Sequence, residues 1–241
     1  MQVEINNPRV QCYKCMRPSS TCICKHISTV MTNMRFNILM HPKEYKKERN
    51  GTGYMTNLQL ENSEIIVGVD FSNNERVNEI LNDEKSNSFL LYPGKTSFNL
   101  SQRKGYEMEA FLGKQANIFI LDGTWPCARK MLKLSANLQK LSRISFDNSI
   151  ASKFIIKQQP VALCLSTIES VYTVLNLLNN GGLENCNTTD FLVPFEKMIE
   201  HQLDYILNPN SKNYNSTASK EILPKKMYKT NTERNVVFEL E

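Results

Sequence analysis

Short apolar runs that alternate with helical patterns constrain the fold of this 241-residue chain more than any other feature. The runs are rich in β-branched and aromatic residues, and polar or turn-forming residues bound them. They cover residues 36–40, 64–69, 89–92, 117–121, 144–146 and 161–165. Because both faces of these runs are apolar, they indicate the strands of a parallel sheet that is covered on both sides.

Three longer segments carry helical periodicity. They cover residues 126–141, 168–178 and 189–207. Pro126 suits a first helical turn, Asn179-Asn180-Gly181-Gly182 ends the second segment, and Pro194 is expected to interrupt the third. Strands that alternate with helices predict an α/β fold with a mostly parallel sheet flanked by helices.

Four of the seven cysteines lie close together, as Cys12, Cys15, Cys22 and Cys24. The N-terminus shows no signal-peptide pattern, and cytosolic thiols stay reduced, so we expect a metal site rather than disulfides. Four thiolates suit tetrahedral Zn²⁺ and leave no open coordination position, which predicts a structural zinc site. The alternatives are an iron–sulfur cluster, a redox cluster without metal, and a site in which His26 replaces one cysteine.

Composition excludes several classes of protein. With 41% hydrophobic and 22% charged residues, the chain is neither disordered throughout nor fibrous. No apolar stretch is long enough to span a membrane, so we expect a soluble, intracellular and cytoplasmic protein without a membrane partner. The net charge of +5 permits a polyanionic partner without requiring one, and nothing predicts an obligate protein partner.

Polar or turn-forming segments follow four of the predicted strands. They begin at His41, Pro93, Asp122 and Ser166. Ligands of parallel sheets bind beyond the carboxyl ends of the strands, so these segments mark the expected site. Three of them have a plainer interpretation: a helix cap with a core tryptophan at Asp122–Trp125, a capping box at Ser166 and Glu169, and a loop histidine at His41.

Six short motifs together resemble the DTW-domain family, tRNA-uridine aminocarboxypropyltransferases related to the SPOUT superfamily. In chain order they are Cys12–Cys24, His41–Glu44, Gly51–Gly53, Leu91–Gly94, Leu121–Trp125 with Ala128–Met131, and Leu165–Glu169. The resemblance covers roughly residues 10–180. It implies transfer of the 3-amino-3-carboxypropyl group of S-adenosylmethionine to N3 of a tRNA uridine, which leaves 5′-methylthioadenosine. It also implies a SPOUT-like fold with a C-terminal knot.

We expect three parts in the chain: a zinc-binding cysteine knob at residues 1–30, a catalytic domain at 31–207 and a polar, basic tail at 208–241. The tail has a possible strand at 236–240. The expected general base is Asp122, with Trp125 stacking on adenine or on the target base. The expected cofactor-binding residues supply backbone amides, hydroxyls and a helix N-terminus to S-adenosylmethionine. They are Tyr92, Pro93, Gly94, Leu121, Gly123, Thr124, Ser166, Thr167 and Glu169.

Basic residues near these segments are the expected contacts to tRNA phosphates. They are His41, Lys43, Arg129, Lys130 and Lys157, with Lys133 and the cluster at 43–49 as further candidates. Lys157 stands where relatives carry Arg, and Lys cannot bind an anion bidentately as Arg does. The alternative hypotheses for the function are a SPOUT-type RNA methyltransferase, the same transfer to rRNA, and a zinc-containing RNA-binding protein without activity.

Overall fold

The computed structural model describes residues 10–47, 51–149, 152–154, 164–207 and 210. Within this part of the chain, six strands form one sheet. They are β1 (Arg35–Met40), β2 (Ser63–Val67), β3 (Asn87–Leu91), β4 (Phe98–Asn99), β5 (Ala116–Asp122) and β6 (Ser142–Ser145). Every neighbouring pair is parallel, and the strand order is β2-β1-β5-β3-β6-β4. The predicted parallel α/β sheet is therefore confirmed.

Helices cover both faces of this sheet. They are α1 (Pro42–Lys47), α2 (Thr52–Gln59), α3 (Glu75–Leu81), α4 (Gly105–Leu112), α5 (Trp125–Leu134), α6 (Ala136–Gln139), α7 (Thr167–Asn180) and α8 (Val193–Leu207). None of these helices combines the length and the apolar composition that crossing a membrane requires.

Two hydrophobic cores, one on each face of the sheet, hold the layers together. On one face, Ile118 and Ile120 of β5 belong to a cluster with residues of α2, α4, α7 and α8. On the other face, Phe119 of β5 belongs to a cluster with residues of α3, α5 and α6. Alternate residues of a strand point to opposite faces, which is why the apolar run of β5 serves both cores.

Five of the predicted strands correspond to β1, β2, β3, β5 and β6, with small shifts at their ends. The two-residue strand β4 was not predicted. The prediction at 161–165 fails where it can be checked, because residues 164 and 165 are not in a strand and 161–163 lie outside the described residues. The possible strand at 236–240 also lies outside them.

Two helix predictions need correction. The segment 126–141 is two helices, α5 and α6, because the backbone of Ser135 leaves helical geometry (φ −91°, ψ 88°) and its buried hydroxyl accepts a hydrogen bond from the N–H of Phe71 at 2.9 Å. Pro194 does not interrupt α8, since the helix begins at Val193 and a first-turn proline lacks only an N–H that would have no helical partner. The Gly181-Gly182 terminator is confirmed, because α7 ends at Asn180 and Gly182 has φ 76°.

The cysteine-rich N-terminal segment packs against the sheet domain. Cys15 and Ile23 are 3% and 1% exposed and belong to the same core as α7 and α8. Burying a side chain such as Ile23 stabilises a fold by about 1.5–3 kcal/mol. The division of the chain into knob, catalytic domain and tail stays a prediction.

Candidate active site

Asp122 is the last residue of β5 and lies at the carboxyl end of the sheet, where the parallel strands end. This end of the sheet, with the segments that follow its strands, is called the edge. Its side chain is buried, and its Oδ1 accepts a hydrogen bond from the hydroxyl of Thr167 at 2.5 Å. Its backbone carbonyl accepts a hydrogen bond from the N–H of His41 at 2.9 Å, which ties β5 to the segment after β1. Thr167 thus holds the carboxylate, and His41 holds the backbone at the end of β5.

Gly53 covers the Asp122 carboxylate from the side of α2. A Cβ atom at this position would lie 2.6 Å from both Cγ and Oδ2 of Asp122, closer than atoms that are not bonded can approach. Only glycine lets the backbone of α2 come this near to the carboxylate. Gly53 was not among the predicted site residues, although it belongs to the Gly51–Gly53 motif that contributed to the family resemblance.

Three helices begin at this edge. Thr167 is the first residue of α7, Gly53 is the second residue of α2, and α5 begins at Trp125, three residues after Asp122. Thr124 caps α5, since its Oγ1 accepts the N–H of Cys127 at 3.4 Å. Helix N-termini present unpaired N–H groups and partial positive charge, which suits anionic ligand groups.

Gly123 lies in a narrow space between Asp122 and α5. A Cβ atom there would lie 3.3 Å from the Cβ of Cys127 and 3.4 Å from the Cβ of His41. The backbone at Gly123 therefore passes close to two neighbouring segments, as the prediction of close backbone approach requires. Leu121, before Asp122, points to the other face and packs against the second core.

An aromatic pair lies next to this edge on the face covered by α5. The rings of Tyr92 and Trp125 meet edge to face, with centroids 6.3 Å apart. Trp125 remains half-buried, whereas Tyr92 is 6% exposed. Burial raises the pKa of the Tyr92 phenol, and the positive charges of Arg143 and Arg129 oppose that rise.

Arg143 is a second residue that the sequence reasoning missed. Its guanidinium carbon lies 5.5 Å from the centroid of the Tyr92 ring, and its Nη1 would be 3.1 Å from a Cβ at Gly94. Among the described residues, no carboxylate forms an ion pair with Arg143. Its only sequence signal was a basic residue directly before the predicted strand at 144–146, and a strand pattern alone does not distinguish such a residue from a solvated one.

Pro93 and Gly94 follow Tyr92 and form the turn beside Arg143. Pro93 is exposed, and the carbonyl of Gly94 accepts hydrogen bonds from the N–H and the hydroxyl of Ser97 at 3.1 and 2.7 Å. Ser97 Oγ also lies 2.8 Å from Ser145 Oγ at the end of β6. The turn is therefore held by its own hydrogen bonds at the same edge of the sheet as Asp122.

Glu169 performs the plainer of its two predicted roles. Its Oε2 accepts from the N–H and hydroxyl of Ser166 and from the hydroxyl of Ser152, at 2.9, 2.5 and 2.7 Å. Its Oε1 accepts from the N–H of Lys153 at 2.8 Å. Glu169 and Ser166 thus cap α7 and hold residues 152–154 against it, while a contact of either residue to a ligand stays a prediction.

The predicted RNA contacts are spread over the edge. The His41 ring is engaged in its own turn, because Nδ1 accepts the N–H of Lys43 at 3.1 Å, and Lys43 is exposed. Arg129 and Lys130 are exposed on α5, and Arg129 is close enough to Tyr92 for its charge to act on the phenol. Lys157 lies outside the described residues.

The four predicted zinc ligands converge. The sulfur atoms of Cys12, Cys15, Cys22 and Cys24 all lie within 4.8 Å of one another. The sulfurs of Cys12 and Cys24 are 3.5 Å apart, and those of Cys15 and Cys22 are 3.7 Å apart. A tetrahedral ion with Zn–S bonds of about 2.3 Å separates its sulfurs by about 3.8 Å, so the donor set fits a single zinc ion.

The alternatives to zinc fit these distances less well. A cluster of several iron ions needs its four sulfurs farther apart than a single ion does, and His26 is not a member of the converging group. The four thiols also differ from one another: the N–H groups of Cys15 and Lys14 help to lower the pKa of Cys12 to about 6, whereas burial raises the pKa of Cys22 and Cys24. Four sulfurs this close cannot all carry charge unless a cation lies between them.

Comparison with known sequences connects both regions to one family. The DTW domain matches residues 9–203, which include the four clustered cysteines and every element of the edge. The chain is similar to proteins named tRNA-uridine aminocarboxypropyltransferase 2. That of Drosophila melanogaster is 30% identical over 206 residues, covering 82% of this chain and 77% of the relative.

Two mammalian relatives carry the same name. The protein of Macaca fascicularis is 27% identical over 214 residues and that of Mus musculus is 24% identical over 208 residues. Each alignment covers 85% of this chain and 67% of the relative. No solved structure matches the chain significantly.

Proposed function

The chain belongs to the DTW-domain family, and from that premise we propose that it is a tRNA-uridine aminocarboxypropyltransferase. The proposed reaction moves the 3-amino-3-carboxypropyl group of S-adenosylmethionine to N3 of a tRNA uridine. One observation carries the proposal to this chain's own residues. Asp122, Gly53 and the start of α7 meet at the carboxyl end of a parallel sheet, where ligands of such sheets bind.

The chemistry requires a nucleophile and a correctly presented carbon. S-adenosylmethionine supplies a sulfonium that activates the methionine-side methylene. The N3–C bond forms as the C–S bond breaks, the C–S electron pair leaves with sulfur, and the N3 proton must be removed. The products are acp-modified uridine and 5′-methylthioadenosine. The protein has to hold the methylene against N3 at near-attack distance and to accept the proton.

Asp122 is the proposed proton acceptor. Thr167 donates to Oδ1 and the backbone of Gly53 packs against the carboxylate, so the group has little freedom to rotate. A fixed base keeps its acceptor orbital aimed at one position, which favours proton removal from a uridine held there. Trp125, three residues after Asp122 in the chain, offers a partly exposed ring at the same end of the sheet, and adenine or the target uracil stacks on it in our proposal.

The remaining contacts follow from the edge. Tyr92, Pro93, Gly94, Leu121, Gly123 and Thr124 are proposed to surround the adenosine. The start of α7, with Ser166 and Thr167, is proposed to receive the methionine carboxylate. Arg143, which lies over Tyr92 without a carboxylate partner among the described residues, is a better anion contact than Lys157, because a guanidinium binds such groups bidentately.

Three further features belong to the proposal. The knob holds zinc through Cys12, Cys15, Cys22 and Cys24, and the ion fixes the fold of the knob without taking part in transfer. A relation to the SPOUT superfamily, with a knot towards the C-terminus, is also proposed on the basis of the family resemblance. Modification of tRNA implies that the protein works inside the cell.

Mass spectrometry of nucleosides tests this function directly. The full chain is incubated with S-adenosylmethionine and unmodified tRNA, and both the tRNA nucleosides and the small-molecule product are analysed. We expect acp-modified uridine and 5′-methylthioadenosine. S-adenosylhomocysteine with a methylated nucleoside would identify an RNA methyltransferase instead, and product on rRNA but not on tRNA would correct the substrate. Absence of any product, with intact tRNA binding, would favour a binding protein without activity.

A further inference from the structure

Tyr13 presents an aromatic ring to solvent from the tip of the cysteine knob. Its side chain is 97% exposed, the highest exposure among the large hydrophobic residues of the described chain. It stands between two of the four converging cysteines, Cys12 and Cys15, so its backbone is anchored on both sides. A ring this exposed offers both of its faces to a partner.

The loop that carries Tyr13 has a defined shape. The N–H of Met16 donates to the carbonyl of Cys12 at 2.8 Å, and the N–H of Cys12 donates to the carbonyl of Arg17 at 2.8 Å. Met16 turns the chain with a left-handed φ of 56° and is 52% exposed beside Tyr13. A ring held on a preformed loop loses little conformational freedom when it binds.

The charged residues near Tyr13 in the sequence are all basic. Lys14 and Lys25 are exposed on the knob, and the sequence contains no Asp or Glu between residues 5 and 43. Tyr45 on α1 adds a second aromatic ring, 59% exposed, in a segment that also carries Lys43 and Lys46. Exposed rings with lysines next to them in the sequence suit the bases and phosphates of a nucleic acid better than a protein surface.

Helix α2 connects this surface to the proposed active site. The hydroxyl of Tyr54 donates to the carbonyl of Lys14 at 3.3 Å, which links the tip of the knob to the first turn of α2. The preceding residue, Gly53, packs against the Asp122 carboxylate. A strand of RNA bound at Tyr13 therefore lies on the same side of the molecule as the start of α2 and the carboxyl edge.

We propose that the knob is an RNA-binding element in which Tyr13 stacks on an unpaired base of the tRNA and Lys14 contacts the adjoining phosphate. This inference rests on the proposed function for the identity of the RNA. It adds to that function a second contact, outside the catalytic edge, that positions the tRNA relative to Asp122. Stacking on Tyr13 gives affinity with little sequence choice, because every base has an aromatic face.

The test compares four variants of the full chain: Tyr13→Ala, Tyr13→Phe, Lys14→Ala and Tyr106→Ala. Tyr106 is the matched control, since it is another tyrosine that is 69% exposed and lies on α4, which approaches the C-terminal end of α7 rather than the end at Asp122. Affinity for unmodified tRNA is measured by fluorescence anisotropy, together with kcat, the KM for tRNA, the Kd for S-adenosylmethionine and the zinc content.

For Tyr13→Ala we expect tRNA to bind roughly 5- to 100-fold more weakly, the KM for tRNA to rise accordingly, and kcat to change little. Zinc content and affinity for S-adenosylmethionine should not change. Tyr13→Phe should bind tRNA as the wild type does, because it keeps the ring. Lys14→Ala should lower the slope of log Kd against log salt concentration by about 0.7–0.9, whereas Tyr13→Ala should leave that slope unchanged.

Equal tRNA affinity of Tyr13→Ala and wild type would overturn the inference, as would an equal loss in Tyr106→Ala. The inference also fails if the wild type does not bind tRNA. These outcomes are separable from the proposed function: tRNA binding that depends on Tyr13 without any transfer would refute the function and leave the RNA contact intact. Wild-type transfer efficiency in Tyr13→Ala would refute the RNA contact and leave the proposed function intact.

Discussion

The cysteine knob collects its four sulfurs from residues 12–24, whereas the edge site brings together groups from residues 53, 122 and 167. In the knob, two short spacings and a turn are enough to make the ligands converge. At the edge, convergence needs β5 to lie beside β1 and two helices to begin at the same end of the sheet. Contacts within a few residues can be read from spacing, while contacts across the chain depend on topology.

The two regions also differ in how charge is accommodated. The four sulfurs of the knob lie so close together that they need a shared cation to be thiolates at once. Two of the buried carboxylates of the edge accept hydrogen bonds from uncharged donors: Asp122 from the hydroxyl of Thr167, and Glu169 from three residues around the start of α7. Metal removal should therefore affect the knob and leave the edge intact, and changes to the carboxylates should do the opposite.

The largest effect is expected from Asp122→Asn. This change keeps the shape of the side chain and an oxygen that accepts from Thr167, but it removes the group that takes the uridine proton. General bases typically contribute about 100- to 10,000-fold, so we expect kcat for acp transfer to fall by that order. Affinity for S-adenosylmethionine and zinc content should stay at wild-type values. Product formation at the wild-type rate would remove Asp122 from the mechanism.

Glu169→Gln is the matched control for that change, because it alters another buried carboxylate of the same edge. An amide cannot accept all the hydrogen bonds that Glu169 receives, and each buried donor left without an acceptor costs about 1–3 kcal/mol. We expect lower thermal stability but measurable transfer by the folded protein. A complete loss of transfer at unchanged stability would instead give Glu169 a direct role with the substrate.

The sequence predicted the knob's ligands and five strands because each depends on local pattern. It did not predict Gly53 next to Asp122, since nothing near residue 53 indicates which strand end α2 will contact. The break between α5 and α6 was missed for the same reason. Ser135 leaves the helix because its hydroxyl binds the N–H of Phe71, which is 64 residues away in the sequence.

The predicted roles of the polar residues show the same difference between local and long-range contacts. Ser166 and Glu169 have capping-box spacing, and that local interaction is present. Arg143 belongs to no local motif, and only the pairing of β6 with β3 brings its guanidinium over Tyr92. Residue types therefore indicated which side chains carry chemistry, whereas the arrangement of the strands decided which of them meet.

The second prediction concerns a variant that disrupts the knob and leaves the edge unchanged. The double variant Cys22→Ser, Cys24→Ser should lose its zinc, as measured by elemental analysis. Without the ion the knob should lose its packing on the core, where Ile23 alone contributes about 1.5–3 kcal/mol. Cys186→Ser is the control, a half-buried cysteine outside the converging group, and it should retain zinc. Absence of zinc from the wild type would refute the metal site.

The third prediction concerns the contact between Gly53 and Asp122. Gly53→Ala should lower the free energy of unfolding by about 1–3 kcal/mol, because its methyl group and the carboxylate need the same space. In an Asp122→Ala background, the same substitution should be neutral or slightly stabilising, since the three nearest atoms all belong to Asp122 and alanine favours a helix. Denaturant titration of the four proteins completes a double-mutant cycle. An additive result would show that α2 does not pack on the carboxylate as described.

The smallest effect is expected where the two regions meet, at the hydrogen bond from Tyr54 to the carbonyl of Lys14. Burial raises the pKa of Tyr54, so the phenol remains protonated and able to donate at neutral pH. Tyr54→Phe removes this partly exposed hydrogen bond, and we expect a loss of about 0.5 kcal/mol. The rate of zinc release to a chelator should rise modestly, while kcat stays the same. Tyr45→Phe is the control on the neighbouring helix. A loss of kcat in Tyr54→Phe but not in Tyr45→Phe would mean that the knob acts on the edge through α2, and that the two regions are not independent.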